Sequence, residues 1–315
     1  MYKINIDIWQ GDVLTFNNPA FTINQLSINH IQGDLMKKIL AIICSPRKLG
    51  NCEIMAKEIS NQLSFPHELN LLRLQDFKLL PCRGCYQCLF TKETCVLDDD
   101  LNTVIQAMLD ADAYIVSAPT YFLGINASLK TFLDRGLSFY AHIESLWGKP
   151  AVGVAIAGIE GKEGYSRLVI QSFLKMIFAN DKNTKVVYGA LPGEVFFNKA
   201  NKQSAEELAS ALFGPRVEKS GHCCPRCGGD TFRFLGNNRV QCMLCSNSGA
   251  INISSGSPTF DISKSRHDFF YDKENAIKHK DWLLGMKSRF IENKKALKEI
   301  TLPYLKQGNW IKPAT

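Results

Sequence analysis

Apolar strands that alternate with amphipathic helices constrain this chain more than any other feature of its sequence. Short apolar runs predict five strands, at residues 38–43, 68–74, 113–117, 151–157 and 184–188. Helical spacing of apolar residues follows each run, over 51–63, 98–109, 127–139, 166–178 and 204–212. Strands that are apolar on both faces and separated by helices form parallel sheets with helices on each side. Residues 36–215 are therefore predicted to form an α/β domain with a doubly wound, five-stranded parallel sheet.

The N-terminal segment 1–35 shows no such periodicity. We expect it to be a short extension, or an upstream start-site artefact with Met36 as the true start. It lacks the basic lead and apolar core of a signal peptide, and the sequence contains no run of 18 apolar residues. These features predict a cytoplasmic protein without a membrane span.

The C-terminal third differs in composition and charge. After Gly214, a cysteine-rich module is expected at 219–254, then a linker at 254–257 and a basic helical tail at 258–315. Within the tail a helix is predicted over 272–300, with one apolar stripe formed by Leu283, Met286, Phe290 and Leu297. The formal charge of +7 belongs to this third, because residues 1–218 carry a net charge of −1. A neutral main body argues against a nucleic-acid-binding domain there.

A candidate phosphate site follows the first strand. The segment 44–52 reads CSPRKLGNC and runs into a helix, so it combines backbone amides, a hydroxyl and two cations at a helix N-terminus. It lacks the Gly-Lys-Ser/Thr ending of a P-loop and the Gly-x-Gly-x-x-Gly pattern of dinucleotide sites. A monophosphate fits better than either, and the alternative is an ordinary strand-to-helix turn. The candidate ligands are Ser45, Arg47, Lys48, Gly50, Asn51 and Cys52.

Two further loops follow the third and fourth strands. In open parallel sheets, ligands bind beyond the carboxyl ends of the strands. An exposed aromatic pair at such an edge suits a flat ring, although Tyr121 and Phe122 could instead be buried core residues. Glycines in the second loop allow backbone to approach a ligand closely. The candidate residues are Pro119, Thr120, Tyr121, Phe122 and Gly124 in the first loop, and Gly158 and Gly161 in the second.

These segments together resemble one known family. The sequences SPRKLGN, PTYFLGINASLKTFLDR and the glycine loop resemble the flavodoxin-like NAD(P)H-dependent FMN reductases over about residues 37–213. The resemblance implies FMN, with its phosphate at the first loop and its ring system against 119–124 and near 158–161. The chain departs from the family at Cys44, where Gly is usual, and at Cys52, where Ser or Thr is usual. Because a thiol is a weak donor, one hydrogen bond to the phosphate is in doubt.

A compact four-cysteine motif lies between the second strand and the next helix. It has the form Cys-x2-Cys-x2-Cys-x6-Cys, formed by Cys82, Cys85, Cys88 and Cys95 within 81–98. Ligation by four cysteines is the rule for iron-sulfur clusters. This insertion resembles the iron-sulfur flavoproteins of anaerobic archaea and bacteria, which implies a 4Fe-4S cluster beside the flavin, a homo-oligomer and a ferredoxin-like electron partner. The alternative is a zinc site or unmetallated cysteines, although tetrahedral zinc prefers two separated pairs.

A second metal site is predicted near the C-terminus. Two Cys-x2-Cys pairs flank a hairpin whose turn is 236–238, which is typical of a zinc ribbon. The same four-thiolate geometry serves rubredoxin-type iron, so the metal stays open between zinc and iron. The predicted ligands are Cys224, Cys227, Cys242 and Cys245.

The combined motifs predict an oxidoreductase that carries electrons between FMN and a 4Fe-4S cluster. Its expected donor is NAD(P)H or a ferredoxin-like protein. One alternative is an NAD(P)H-dependent FMN or quinone reductase without a cluster. A second is a redox-responsive regulator whose ribbon binds nucleic acid or a protein partner, since the C-terminal third is basic.

Overall fold

A parallel sheet forms the centre of residues 37–213 in the computed structural model, which describes residues 36–215, 222–254, 256–265 and 272–311. The predicted extension 1–35 lies outside the described residues. Five strands pair in parallel in the order β2-β1-β3-β5-β6, and a short strand, β4, pairs antiparallel with β3. The predicted doubly wound, flavodoxin-like sheet is confirmed, with β4 as an unpredicted addition. The strands are β1 (Lys37–Ile43), β2 (His67–Arg73), β3 (Ala113–Tyr121), β4 (Gly124–Ile125), β5 (Pro150–Ala157) and β6 (Asn180–Tyr188).

Alternating side chains of β1 show why its apolar run is continuous. Ile39, Ala41 and Ile43 pack on one face of the sheet, whereas Leu40 and Ile42 pack on the other. Successive residues of a strand point to opposite faces, so a strand covered on both faces must be apolar at every position.

Helices cover both faces of the sheet. Helices α1 (Asn51–Asn61) and α7 (Lys199–Phe213) contribute to one core. The opposite core contains residues of α2 (Leu101–Asp110), α3 (Ala127–Leu133), α4 (Leu137–Ala141), α5 (Ile143–Leu146) and α6 (Ser166–Met176).

The predicted single helix over 127–139 is instead two helices. The chain turns at 134–136, between α3 and α4. Apolar residues at helical spacing, such as Phe132 and Phe139, are buried on both sides of the turn, so the pattern alone did not reveal the break. The turn contains Arg135, whose side chain is buried, and this becomes important at the site.

The cysteine-rich module is a four-stranded antiparallel sheet in the order β10-β9-β8-β7. The predicted hairpin around 236–238 is present, but the module extends further than expected. Residues 254–257 do not form a linker, because Ser254 pairs with Ser257 at the end of a second hairpin. The strands are β7 (Phe232–Gly236), β8 (Arg239–Cys242), β9 (Ser248–Ser254) and β10 (Ser257–Ile262).

The tail forms two helices rather than the predicted one, α8 (Lys273–Leu284) and α9 (Met286–Thr301), which meet at Gly285. Helix α8 docks on the main domain through Ala276 and Leu283, which are buried in its core. Helix α9 buries no side chain completely, and Phe290 is 56% exposed. The predicted apolar stripe is therefore covered only in its first half. None of the described helices is both long and apolar enough to cross a membrane.

Candidate functional site

A cleft of about 210 Å³ opens at the carboxyl ends of the parallel strands. This is the sheet edge at which ligands of doubly wound folds bind. Eight of its lining residues were predicted from sequence, namely Ser45, Arg47, Asn51, Cys52, Pro119, Thr120, Tyr121 and Gly158. Three others were not predicted, namely Ile156, Gly189 and Ala190. The structure therefore brings the candidate phosphate loop and the candidate ring loops together around one space.

The phosphate loop has free donors at the N-terminus of α1. Gly50 is the N-cap residue of the helix, and it has no side chain that could cap the first turn. The first amides of a helix have no partner within the helix, so they can bind an anion. Ser45 Oγ accepts a hydrogen bond from the Arg47 amide at 3.2 Å, which orients its hydroxyl within the loop. Lys48 is exposed and does not line the cleft, so its role as a phosphate ligand stays a prediction.

The carboxylate of Glu53 lies in the same first turn of α1. Lys57 Nζ lies 2.7 Å from one of its oxygens, and Arg73 Nη2 lies 2.6 Å from the other. Burial alone would raise the pKa of Glu53, but hydrogen bonds from Lys57, the Leu49 amide and Arg73 lower it. Two cations therefore neutralise this carboxylate, which limits its repulsion of an anion at the helix N-terminus.

Asn51 ties the phosphate loop to the loop that follows β6. Its Nδ2 donates to the Gly189 carbonyl at 2.9 Å, and its Oδ1 accepts from the Gly193 amide at 2.9 Å. The side chain is thus engaged within the protein, and only the backbone of Asn51 is left for a phosphate. Arg47 also reaches this loop, donating to the Ala190 carbonyl at 3.1 Å. Sequence reasoning missed this wall of the cleft, since neither Gly189 nor Ala190 carries a polar side chain.

The aromatic pair after β3 is exposed, as expected for a surface loop. Tyr121 is 45% exposed and lines the cleft, whereas Phe122 is fully exposed and lies outside the lining. The lack of a side chain at Gly124 allows Tyr165 to pack closely, because a Cβ at this position would lie 2.6 Å from the Tyr165 hydroxyl. Gly161 is exposed and also lies outside the lining. The predicted roles of Phe122, Gly124, Gly161 and Gly50 toward a ligand stay predictions.

The two unusual thiols beside the phosphate loop are both buried. Burial raises the pKa of Cys52 to about 12, and it also raises the pKa of Cys44 well above its ordinary value. Both thiols therefore stay protonated near neutral pH. Cys52 lines the cleft as a neutral, weakly polar group rather than as an anion.

The loop at 81–98 gathers its four cysteines around Cys88. Burial raises the pKa of the Cys88 thiol, and nearby Cys95, Cys82 and Cys85 raise it further. Cys88 is buried, Cys95 is half-buried, and Cys82 and Cys85 are exposed. Among the described residues, no three of these four sulfurs lie within 4.8 Å of one another. The group is thus wider than a single metal ion requires.

A buried ion pair fixes this loop to the main domain. Arg135 pairs with Asp99, and both side chains are almost completely buried. The Asp99 carboxylate also accepts hydrogen bonds from the Leu80 amide at 2.9 Å and the Leu101 amide at 3.2 Å. Burial alone would lower the pKa of Arg135, but hydrogen bonds with Asp99 and Cys95 raise it, so the guanidinium stays charged. Sequence reasoning missed Arg135, whose burial depends on a partner 36 residues away.

Helix α3 connects the cleft to the cysteine loop. Just before it, Asn126 Nδ2 donates to the Cys44 carbonyl at 2.5 Å, at the end of β1. Just after it, Arg135 Nη2 lies 2.9 Å from Cys95 Sγ. The helix has seven residues and is therefore roughly 10 Å long. The two candidate sites are neighbours on one edge of the sheet.

The second cysteine group forms a closed site. Cys224, Cys227, Cys242 and Cys245 are all buried, and their sulfurs lie within 4.8 Å of one another, which confirms the predicted grouping. Cys224 and Cys245 sulfurs are 3.8 Å apart, and Cys227 and Cys242 sulfurs are 3.5 Å apart. Metal–sulfur bonds of about 2.3 Å in a tetrahedron give edges of about 3.8 Å.

Gly229 leaves room beside that site, since a Cβ there would come within 3.0 Å of Cys242 Sγ. Its amide points to Cys227 Sγ at 3.4 Å. The donor set, its spacing and its burial fit one tetrahedral metal ion.

The chain is similar to known flavoproteins. Residues 37–191 match the family of NADPH-dependent FMN reductases. An iron-sulfur flavoprotein of Archaeoglobus fulgidus is 32% identical over 179 residues, which are 56% of this chain and 78% of that protein. An iron-sulfur flavoprotein of Methanocaldococcus jannaschii is 30% identical over an alignment of 188 residues that covers 56% of this chain and 95% of that protein.

The likeness in fold extends past the flavodoxin-like domain. The solved structure of a flavone reductase superposes with a TM-score of 0.61 at 17% identity, covering 87% of this chain and all of the other. At that identity the match concerns the fold alone. From the family match and the two relatives, the chain belongs to the iron-sulfur flavoprotein branch of the NADPH-dependent FMN reductases and is a flavoprotein oxidoreductase.

Proposed function

We propose that this protein transfers electrons between FMN in the cleft and a 4Fe-4S cluster on Cys82, Cys85, Cys88 and Cys95. The observation that carries the proposal is the gathering of four thiols at the same sheet edge as the cleft, joined to it by α3. NAD(P)H or a ferredoxin-like protein is the proposed electron donor. Such a pairing converts between two-electron and one-electron carriers.

The residues of the cleft fit FMN. Uncapped amides at the start of α1, the Ser45 hydroxyl and the Arg47 guanidinium together suit a phosphate dianion. Tyr121 offers an exposed aromatic ring at the mouth, and Gly158 allows close approach of backbone. When bound, FMN would supply hydride and single-electron chemistry. The protein residues would hold the phosphate at one end and limit access of water to the ring system at the other.

The thiols of the loop fit a cluster better than a single ion. Among the described residues no three of their sulfurs lie within 4.8 Å of one another, although the other three thiols are near enough to Cys88 to raise its pKa. A 4Fe-4S cluster is bound by four cysteine thiolates and would supply a one-electron carrier. Cys88 and Cys95 would bind it from the protein side, and the exposed Cys82 and Cys85 from the solvent side.

For the ribbon we propose structural zinc, with rubredoxin-type iron as the alternative, because both metals accept a tetrahedron of thiolates. A reducing, cytoplasmic compartment is proposed because Cys-x2-Cys pairs in a long chain are typical of metal sites rather than of a disulfide framework. We further propose a homo-oligomer, with no role for nucleic acid.

The proposal is tested by replacing one buried ligand. In Cys88→Ala, purified without air, we expect the roughly four irons per chain to be lost because the cluster no longer has four thiolates. FMN absorbance should remain, since Cys88 does not line the cleft. The matched control is Cys223→Ala, which removes a thiol outside both groups.

Iron and acid-labile sulfide are measured together with the electron paramagnetic resonance signal of the reduced protein. A yellow wild-type protein that contains flavin but no labile sulfide would support a reductase without a cluster. A cluster signal that persists in Cys88→Ala would overturn the ligand assignment.

A further inference from the structure

Arg135 is the largest fully buried side chain of the described residues. A buried guanidinium is costly unless ion pairs and hydrogen bonds satisfy it. Asp99 neutralises it, and the Leu80 carbonyl accepts from Nη1 at 2.6 Å. Its Nη2 lies 2.9 Å from Cys95 Sγ. A cationic donor is thus aimed at the sulfur of one of the four cysteines, from the side that the protein encloses.

The same group holds both ends of the cysteine loop. Leu80, two residues before Cys82, contributes its carbonyl to Arg135 and its amide to Asp99. At the other end, Asn102 accepts from the Cys95 amide at 2.9 Å and donates to its carbonyl at 3.2 Å. Cys95 is therefore placed by backbone contacts and faces Arg135 through its sulfur. Because these contacts lie within the protein, they hold the donor in place before any cluster binds.

We propose that Arg135 is a positioning residue that donates a charge-assisted hydrogen bond to the Cys95 thiolate and raises the reduction potential of the cluster. This inference rests on the cluster of the proposed function. Reduction by dithionite adds one electron to the cluster, forms no bond to Arg135 and leaves the proton on its guanidinium. The reduced cluster carries one more negative charge, so a cation and donor at its ligand stabilise it more than the oxidised form.

The first test is Arg135→Lys, which keeps the positive charge beside Asp99. The single nitrogen of lysine cannot occupy both the Nη1 position at the Leu80 carbonyl and the Nη2 position at Cys95 Sγ. A hydrogen bond to a charged group contributes enough to expect about a tenfold lower ratio of reduced to oxidised cluster at a fixed applied potential. For a one-electron couple this equals about 59 mV. The matched control is Arg83→Lys, the same change at an exposed loop residue, which should leave the ratio unchanged.

The readout is a potentiometric titration followed by electron paramagnetic resonance, with iron counted in each variant. If Arg135→Lys holds its cluster and titrates like wild type, the inference is wrong. A wild-type protein that binds no cluster refutes the proposed function instead, so the two failures differ.

A second measurement does not depend on an altered Arg135. Arg83 is replaced by Lys in this measurement because its guanidinium lies between Cys82 and Cys85 in the sequence and would confuse the assignment. In this variant, labelled with ¹⁵N-arginine, electron spin echo modulation of the reduced cluster should show coupling to the guanidinium nitrogen of Arg135. Absence of that coupling would overturn the inference. Its presence would support it even where Arg135→Lys fails to fold or to bind iron.

Discussion

The two cysteine groups of this chain offer the same type of ligand but differ in what holds the surrounding structure together. In the ribbon, the four thiols are buried within 4.8 Å of one another and are themselves much of the local core, together with Val240, Leu244 and Ile262. In the loop at 81–98, no three described thiols lie within that distance of one another, and the Arg135–Asp99 pair fixes the chain instead. We infer that metal holds the ribbon together, whereas the main domain holds the cluster loop together.

The largest effect is expected in the ribbon. In Cys242→Ser the metal loses one of four ligands, and metal binding contributes about 10–16 kcal/mol to the folding of such small modules. We expect loss of one metal ion per chain and loss of amide protection throughout β7–β10, with the main domain unchanged. Metal analysis and hydrogen exchange measure both effects.

The matched control for this change is Cys223→Ser, one residue before the first ligand, which should retain the metal. If β7–β10 remained protected in metal-free Cys242→Ser, the contrast between the two groups would not hold. The contrast would also fail if Cys88→Ala caused loss of amide protection at the cluster loop, because the main domain is expected to hold that loop in place without a cluster.

A smaller effect is expected from the pair that holds the loop. Asp99→Asn leaves Arg135 buried without a counter-charge, which should lower the free energy of unfolding of the main domain by about 3–5 kcal/mol at neutral pH. Hydrogen exchange of the parallel strands in a Cys88→Ala background measures this without a contribution from cluster loss. Asp100→Asn is the control, since Asp100 accepts from the Lys78 amide and pairs with no cation in the described residues.

The pH dependence of this effect has a defined sign. Burial raises the pKa of Asp99, but hydrogen bonds from Arg135 and the amides of Leu80 and Leu101 lower it below its ordinary value. Its contribution is thus full above the unfolded pKa of about 3.9 and is lost as the pH falls through the folded pKa. The difference between wild type and Asp99→Asn should narrow at acid pH. A difference that stayed constant would show that charge is not its origin.

The smallest effect is expected from the side chains of α9 that lie beside the cluster loop. A cavity of about 530 Å³ lies between Cys85 and Tyr86 on the loop and Met286 and Phe290 on α9. Replacing Met286 and Phe290 by Ala should admit solvent and speed the bleaching of the cluster in air a few-fold, without changing the metal content of the ribbon. Ile291→Ala, at an exposed position of the same helix, is the control. Equal bleaching rates would show that α9 does not shield the loop.

Most of the fold could be predicted because its strands are apolar on both faces, as in β1. The ribbon ligands were equally readable from their paired spacing. The linker predicted at 254–257 was wrong because the sequence Ser-Ser-Gly-Ser is compatible with both a flexible linker and a hairpin turn. The break between α8 and α9 at Gly285 was not predicted because apolar residues continue at helical spacing on both sides of it.

The site was harder to predict where it depends on backbone or on distant partners. Gly189 and Ala190 line the cleft without a polar side chain, so no residue type marked them. Asn51 was expected to bind phosphate, but its side chain holds the 189–195 loop instead. Arg135 is polar by sequence, and only the fold reveals that it is buried beside Cys95.

The contacts of Asn51 also bear on the order of events during folding. They join residues 138, 142 and 144 positions apart, which makes them among the most non-local contacts of the cleft. Closing such long loops is costly in chain entropy and tends to occur late. We therefore expect the wall that Gly189 and Ala190 contribute to form late, after β6 has docked. Flavin capture should therefore be one of the last steps by which a newly made chain reaches its native state.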